Sequence, residues 1–433
     1  MIRPPLGGAP SVLLPLAYMV AAVLAFALAA AGVPGLAREL AGHYYHPRLF
    51  ALTHAVTLGW ITLTIMGASY QLVPIVLERP IWSERLARWQ LPALVAGIIG
   101  MVGHFWIGHW SGLVWGAGLV GLGTLAHLIN VGLSLRGLAR WTFTARLMAL
   151  GYAGLALTAA FGLLLGVDRV RPFLPGGVFP RLHAHVHLAL LGWVAPMVVG
   201  VAARVYPMFL LAREPGGWSG RVQLWGFALG VPAVVAGLLV EASALVIGGA
   251  LGVGAALAGH LAWVVAMARG RKRPSLDWGL RFALTGSGFL VPAAVLGLGF
   301  ALGLLAGPRL GLAYTVLALG GWVSLTIVGM MLKIVPFLVW YRVYAPLAGR
   351  RPVPTFAQLA WPRAEAAAYV LLTGGMAALA VAVAAGAPVG IRAAGLAVAG
   401  GALAFGAAIA RVLDHLRPGG RVAAPAGAVA HAS

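Results

Sequence analysis

The stretch RLHAHVHLALLGW (residues 181–193) places three histidines at alternate positions, His183, His185 and His187, and then runs into an apolar segment. A fourth histidine, His54, opens a related stretch, HAVTLGW (residues 54–60). Neutral imidazole ligates iron, copper and other transition metals, and a polar side chain in an apolar run is costly without a partner. If 181–193 is helical, residues 183 and 187 share a face. Residue 185 then points about 200° away from residue 187, because each residue turns the helix by about 100°. Such a helix offers ligands to two different sides.

The elements that must position these groups follow from composition. The chain has 433 residues, 61% hydrophobic and 9% charged, with mean hydropathy +0.95. Apolar runs of about 20 residues, the length that crosses a bilayer as a helix, recur throughout. The sequence predicts an all-α membrane protein with twelve transmembrane helices near 11–34, 49–76, 89–108, 112–134, 146–167, 181–210, 221–240, 242–268, 280–306, 309–340, 365–386 and 389–413. Residues 1–416 are expected to form one membrane domain, and the Ala/Pro/Gly-rich stretch 417–433 a disordered cytoplasmic tail. The first run lacks a small-residue cleavage pattern and is expected to be a retained span. With no cysteine, disulfides, thiolate ligands and covalent c-type haem attachment are excluded.

The net charge of +21 points to loops rather than to nucleic acid. Of the 30 basic residues, 21 fall in the N-terminus, the loops after even-numbered spans and the C-terminal tail, against seven on the other side. The positive-inside rule makes both termini cytoplasmic and puts His54 and His183–His187 near the outer face. The expected location is the bacterial cytoplasmic membrane.

Three segments repeat. HAVTLGWITLTIMGASYQLVP (54–74), HLALLGWVAPMVVGVAARVYP (187–207) and VLALGGWVSLTIVGMMLKIVP (316–336) each carry Gly-Trp, a Gly seven residues after the Trp and a Pro fourteen after it. Trp60, Trp193 and Trp322 are 133 and 129 residues apart, room for four spans per period. The chain is therefore three four-helix units, about 11–134, 146–268 and 280–413, with spans two, six and ten equivalent. The frame persists in the third copy, where Val316 replaces the histidine of His54 and His187. The histidines read as site chemistry laid on that frame.

The twelve-span, three-unit plan and the segment HVHLALLGWVAPMVVGVAARVYP resemble the central subunit of haem–copper oxidases, in particular cbb-type oxidases and nitric oxide reductases. The nitric-oxide-response membrane haem proteins are a second group of similar architecture. The motif stands here on span six rather than ten, and the sequence has neither an adjacent His-His pair nor a His-Pro-x-x-Tyr helix for a copper site. The resemblance implies haem, b-type, one or two per chain, with copper or non-haem iron as a further metal. It also implies a cytochrome c or quinol donor and NO or O2 as the gas handled. Carried over by position, His185 corresponds to the high-spin haem ligand, and His187 and His54 to the low-spin pair. Repeat symmetry offers another pairing, because equivalent residues in a rotational repeat point into successive pockets; His54 then pairs with His185.

His183 lies on the same helix as a further candidate. Arg169, Arg171 and Arg181 lie on the outer side, where they could meet haem propionates or remain solvated. His104, His109, His127 and His260 read as interhelical hydrogen-bonding or interfacial residues, and His43 and His46, in the first outer loop, as solvated loop residues or metal or haem-edge contacts. His415 and His431 read as inert tail residues. All nine carboxylates fall in loops or at span ends, which argues against proton pumping and cation-coupled transport. Three functions fit: an oxidoreductase such as a divergent NO reductase, a non-catalytic haem protein for NO sensing or relay, and a metal or haem transporter.

Overall fold

The computed structural model describes residues 11–77, 80–213 and 217–417. The expected disordered tail, with His431, lies outside the described residues but for Arg417. Among the described residues, twelve helices are long and apolar enough to cross a membrane: α1 (Leu13–Leu40), α2 (Pro47–Pro74), α3 (Glu84–Ile107), α4 (Trp110–Leu135), α5 (Phe143–Val170), α6 (Val178–Leu210), α7 (Trp218–Leu239), α8 (Ser243–Arg269), α9 (Trp278–Ala301), α10 (Pro308–Val343), α11 (Pro362–Ala385) and α12 (Pro388–Asp414). Large apolar side chains stand exposed around the outside, among them Leu28, Leu122, Leu157, Leu229, Val295, Val381 and Leu403. That exterior suits lipid, where backbone polar groups must be satisfied within the helices. This is a multi-pass helical membrane protein.

The same neighbours recur in each set of four helices. The first packs on the second, the second on the third and the third on the fourth, and the fourth meets the first helix of the next set. Helix α12 returns to α1 and closes the ring. Helices α6 and α10 are the most enclosed elements of their sets, and α2 is about as enclosed as α1 in the first. Helices α2 and α6 meet inside, where Trp193 Nε1 of α6 donates to Thr62 Oγ1 of α2 at 3.2 Å.

The repeated Gly-Trp and the later Gly have packing explanations. A Cβ on Gly67 would stand 2.6 Å from Tyr18 Cβ of α1, one on Gly200 2.9 Å from Leu147 Cβ of α5, and one on Gly329 2.4 Å from Gly279 O of α9. In each unit this glycine lets the first helix approach the central one, as small residues do in lipid. The three tryptophans are buried. Each central helix also widens into π-helix at the repeated segment, over Ala55–Thr62, Leu188–Val194 and Val316–Ser324. The π-segment occurs in the copy without a histidine too, so it belongs to the frame. In the first two copies it begins one residue after His54 and His187.

Candidate functional site

Helices α2, α6 and α10 line one cavity of about 1210 Å³. It exceeds the roughly 300–1,000 Å³ of ordinary small-molecule sites. Helix α6 divides its lining. On one side are residues of α2, α3, α4 and α5, such as Phe105, Ala117, Gly121 and Gly162. On the other are residues of α7, α8, α9 and α10, such as Leu238, Val253, Ala293 and Gly297. No residue of α1, α11 or α12 is in the lining. The third interval, between α10 and α2, is filled instead. There Phe26 stacks on Trp60 at 4.6 Å between ring centroids, and Phe405 closes on both at 6.4 and 6.0 Å.

His54, His183, His185 and His187 all line the cavity. His54 Nδ1 lies 2.8 Å from Phe50 O, and its ring stacks on Phe105 of α3 at 4.8 Å. His187 Nδ1 lies 2.8 Å from His183 O. With Nδ1–H donating to a backbone carbonyl, each ring keeps Nε2 as its lone-pair nitrogen, the arrangement that orients a ligating histidine. His185 points to the α5 side, 6.0 Å from the Phe161 ring centroid, and a Cβ on Gly162 would stand 2.9 Å from its Cε1. Its Nδ1 is buried with no partner among the described residues. A buried polar atom left unpaired is costly.

The rings sort by interval. His185, against Phe161 and Gly162 of α5, and His54, against Phe105 of α3, border the α2–α6 interval. His187 faces the α10 side, where its ring and that of Tyr314 have centroids 6.1 Å apart and planes 20° from parallel. His183 stands further toward the end of the cavity, with Nε2 3.1 Å from Tyr44 Oη and its ring near Phe179. Burial pushes the Tyr44 hydroxyl above the usual tyrosine range, so it keeps its proton as a donor.

The arginines differ in role. Arg169 reaches the cavity lining, with its guanidinium over the Trp110 ring at 4.6 Å. Arg171 is exposed and is not among the lining residues. Arg181 is committed to structure. Its Nη1 donates to Asp168 Oδ2 at 3.0 Å and to Leu174 O at 2.9 Å, and its Nε to Gly177 O at 3.1 Å. Asp168 Oδ1 also accepts from the backbone of Phe173 and Leu174. This knot holds the α5–α6 connection across the end of the cavity, beside the histidines.

Other histidines make interhelical or local bonds. His127 Nδ1 lies 3.0 Å from Tyr70 Oη, which donates to Gln90 Oε1. His104 Nδ1 lies 2.7 Å from Gly100 O of its own helix. His415, expected to be an inert tail residue, is buried against Tyr344, with Nδ1 2.8 Å from the hydroxyl.

No family model matches the sequence, and no curated protein matches it.

Sequence reasoning had not singled out Tyr314, Phe105, Gly162 or Tyr44 as partners of the histidines. The signal for Tyr314 was present: it stands eight residues before Trp322, as His185 stands eight before Trp193.

Proposed function

We propose that this chain is a haem-binding membrane protein, built on the plan of the haem–copper oxidase central subunit, in which His54 and His185 hold one haem. The observation that carries this reading is the presence of two imidazoles, from equivalent helices, in the lining of one large apolar cavity. A bare transition-metal ion needs about four or more protein donors. A tetrapyrrole brings four of its own and would need only one or two more, which the two histidines bordering this interval would supply. The buried, unpaired Nδ1 of His185 and the lone-pair Nε2 of His54 fit that demand. Apolar walls such as Leu155, Leu163 and Val120 suit a flat, greasy ring.

A haem with two axial imidazoles is a six-coordinate electron carrier. The chain's own residues bind and orient it. Phe105 stacks on the His54 ring, and the Phe50 carbonyl fixes its tautomer. Arg169 stands at the cavity end, where a propionate would meet it. The Asp168–Arg181 knot holds the α5–α6 connection at the same end. We place this end at the outer face of a bacterial cytoplasmic membrane, with both termini inside, on the distribution of basic residues. An electron donor such as a cytochrome c or a quinol, and NO or O2 as the gas, belong to this reading.

The test is haem analysis of the purified full-length protein with its reduced-minus-oxidised absorption spectrum. Stoichiometric haem with a low-spin signal, lost in His54→Ala and in His185→Ala, is expected. Protein purified without haem, and unable to take it up, would overturn the reading.

A further inference from the structure

Each unit carries one further repeated contact, between its third and fourth helices. Gly97 of α3 packs on Val120 of α4, Gly230 of α7 on Val253 of α8, and Gly375 of α11 on Val398 of α12. A Cβ on these glycines would stand 2.7, 3.0 and 3.1 Å from the valine nitrogens. These contacts put the three units in register. Seven residues before the glycine stand Gln90, Gln223 and Ala368, and seven after the valine stand His127, His260 and Phe405. On the central helices, the positions six and ten after the repeated tryptophan hold Met66 and Tyr70 in the first unit, Val199 and Ala203 in the second, and Val328 and Leu332 in the third.

In the first unit these four positions form one network. The Tyr70 hydroxyl donates to Gln90 Oε1 and lies 3.0 Å from His127 Nδ1, and Gln90 Nε2 donates to Met66 Sδ at 3.3 Å. In the third unit all four are apolar. The second unit keeps the glutamine and the histidine and drops both of their partners, since neither Ala203 nor Val199 has a side chain that can bond an amide. Gln223 is 0% exposed, and it lies against Gly259, where a Cβ would stand 3.3 Å from its Nε2. Its Oε1 and its Nε2 are both buried with no partner among the described residues. His260, the next residue along α8, is buried as well.

An amide buried this way asks for a donor and an acceptor at once, and leaving both unmet is costly. Where the third unit abandons the network it abandons every polar member, so the glutamine and histidine of the second unit are not relics of a greasy core. Alanine in place of tyrosine removes the ring and the hydroxyl that join the pair in the first unit. Water both donates and accepts, and a buried water takes roughly 2–4 polar partners. The two ends of the Gln223 amide and the His260 ring supply that number. A cation is disfavoured there, because the pair includes no carboxylate.

We propose that α6, α7 and α8 enclose a site for bound water, held by Gln223 and His260 in the place that Tyr70 fills in the first unit. Leu257, one helical turn before His260, lines the cavity, so the site lies just inward of it. The site stands or falls separately from the haem reading.

The experiment is X-ray radiolysis of the full-length protein in detergent, with side-chain oxidation mapped by mass spectrometry and exchange followed in H2(18)O. Water held beside a buried ring marks it with hydroxyl radical. His260 is expected to be oxidised several-fold faster than Phe405, its equally buried equivalent, and to take up the heavy oxygen slowly. Gln223→Leu should bring His260 down to the Phe405 level in folded protein; if that variant does not fold, Gln223→Met should do the same. Ala203→Tyr should rebuild the network of the first unit, silence His260 and hold or raise the unfolding temperature. His260 as silent as Phe405 in the unaltered protein would overturn the proposal. So would oxidation of His260 that Gln223→Leu and Ala203→Tyr leave unchanged, or an Ala203→Tyr protein that is destabilised because side chains already fill the space.

Discussion

Gly162→Ala offers a test that separates the ligand-bearing cavity from the fold. Gly162 lies in the interior of α5, behind the ring of His185. The added methyl would stand 2.9 Å from His185 Cε1, about 0.6 Å inside the 3.5–4.0 Å optimum for carbon contacts. The struck atom is the far end of a side chain that borders a cavity, so a free imidazole swings away at little cost. In the unloaded protein the substitution is expected to be neutral or stabilising, by up to about 1 kcal/mol from the helix preference of Ala over Gly. An imidazole bound to iron has no such freedom. Metal–ligand distances tolerate only about 0.2 Å, so a displacement three times larger breaks or strains the bond. The assay is the low-spin absorption and electron paramagnetic resonance signal, measured beside haem content and thermal unfolding, with Gly118→Ala as control. A Cβ at Gly118 meets nothing within 4 Å. The expected result is loss of the low-spin signal in Gly162→Ala alone, with unfolding temperature held or raised. An unchanged spectrum and haem content would refute the assignment of His185 as a ligand.

Other expectations follow from the same structure. Tyr70→Phe removes the hydroxyl shared by Gln90 and His127 and should destabilise the fold by about 1–3 kcal/mol for each buried group left unpaired, with the haem spectrum unchanged; chemical denaturation and absorbance check the two halves. Gly329→Ala pushes a methyl to 2.4 Å from Gly279 O, a backbone atom that cannot yield, so overpacking of about 1–3 kcal/mol should lower the unfolding temperature. Asp168→Asn unpairs Arg181 and loosens the α5–α6 connection; faster proteolysis between residues 171 and 177 should appear together with a lower haem content.

The twelve helices were legible because span length and hydropathy are local properties of the chain. The repeat was legible because its Gly and Trp answer to the same close contacts in every unit, Gly67 on Tyr18 and Gly200 on Leu147. The histidines stood out as polar residues on an apolar frame. What each histidine faces was not legible in the same way. His185 and His187 are two residues apart, and only the order of helices around α6 decides that one meets Gly162 of α5 and the other Tyr314 of α10. The closure of the third interval was hidden for the same reason. Phe26, Trp60 and Phe405 come from the beginning, the early part and the end of the chain, and they meet only because α12 packs on α1. By its place in sequence Arg181 was open to either propionate pairing or solvation, and the α5–α6 connection folds back so that Asp168 takes it.

The most direct test of the central claim is a density map of the full-length protein purified in lipid nanodiscs with its cofactor. The account predicts a planar group, iron at its centre, between His54 of α2 and His185 of α6, and side chains alone between α10 and α2. An α2–α6 interval filled by lipid or water in haem-loaded protein, with the planar group bound elsewhere, would contradict it.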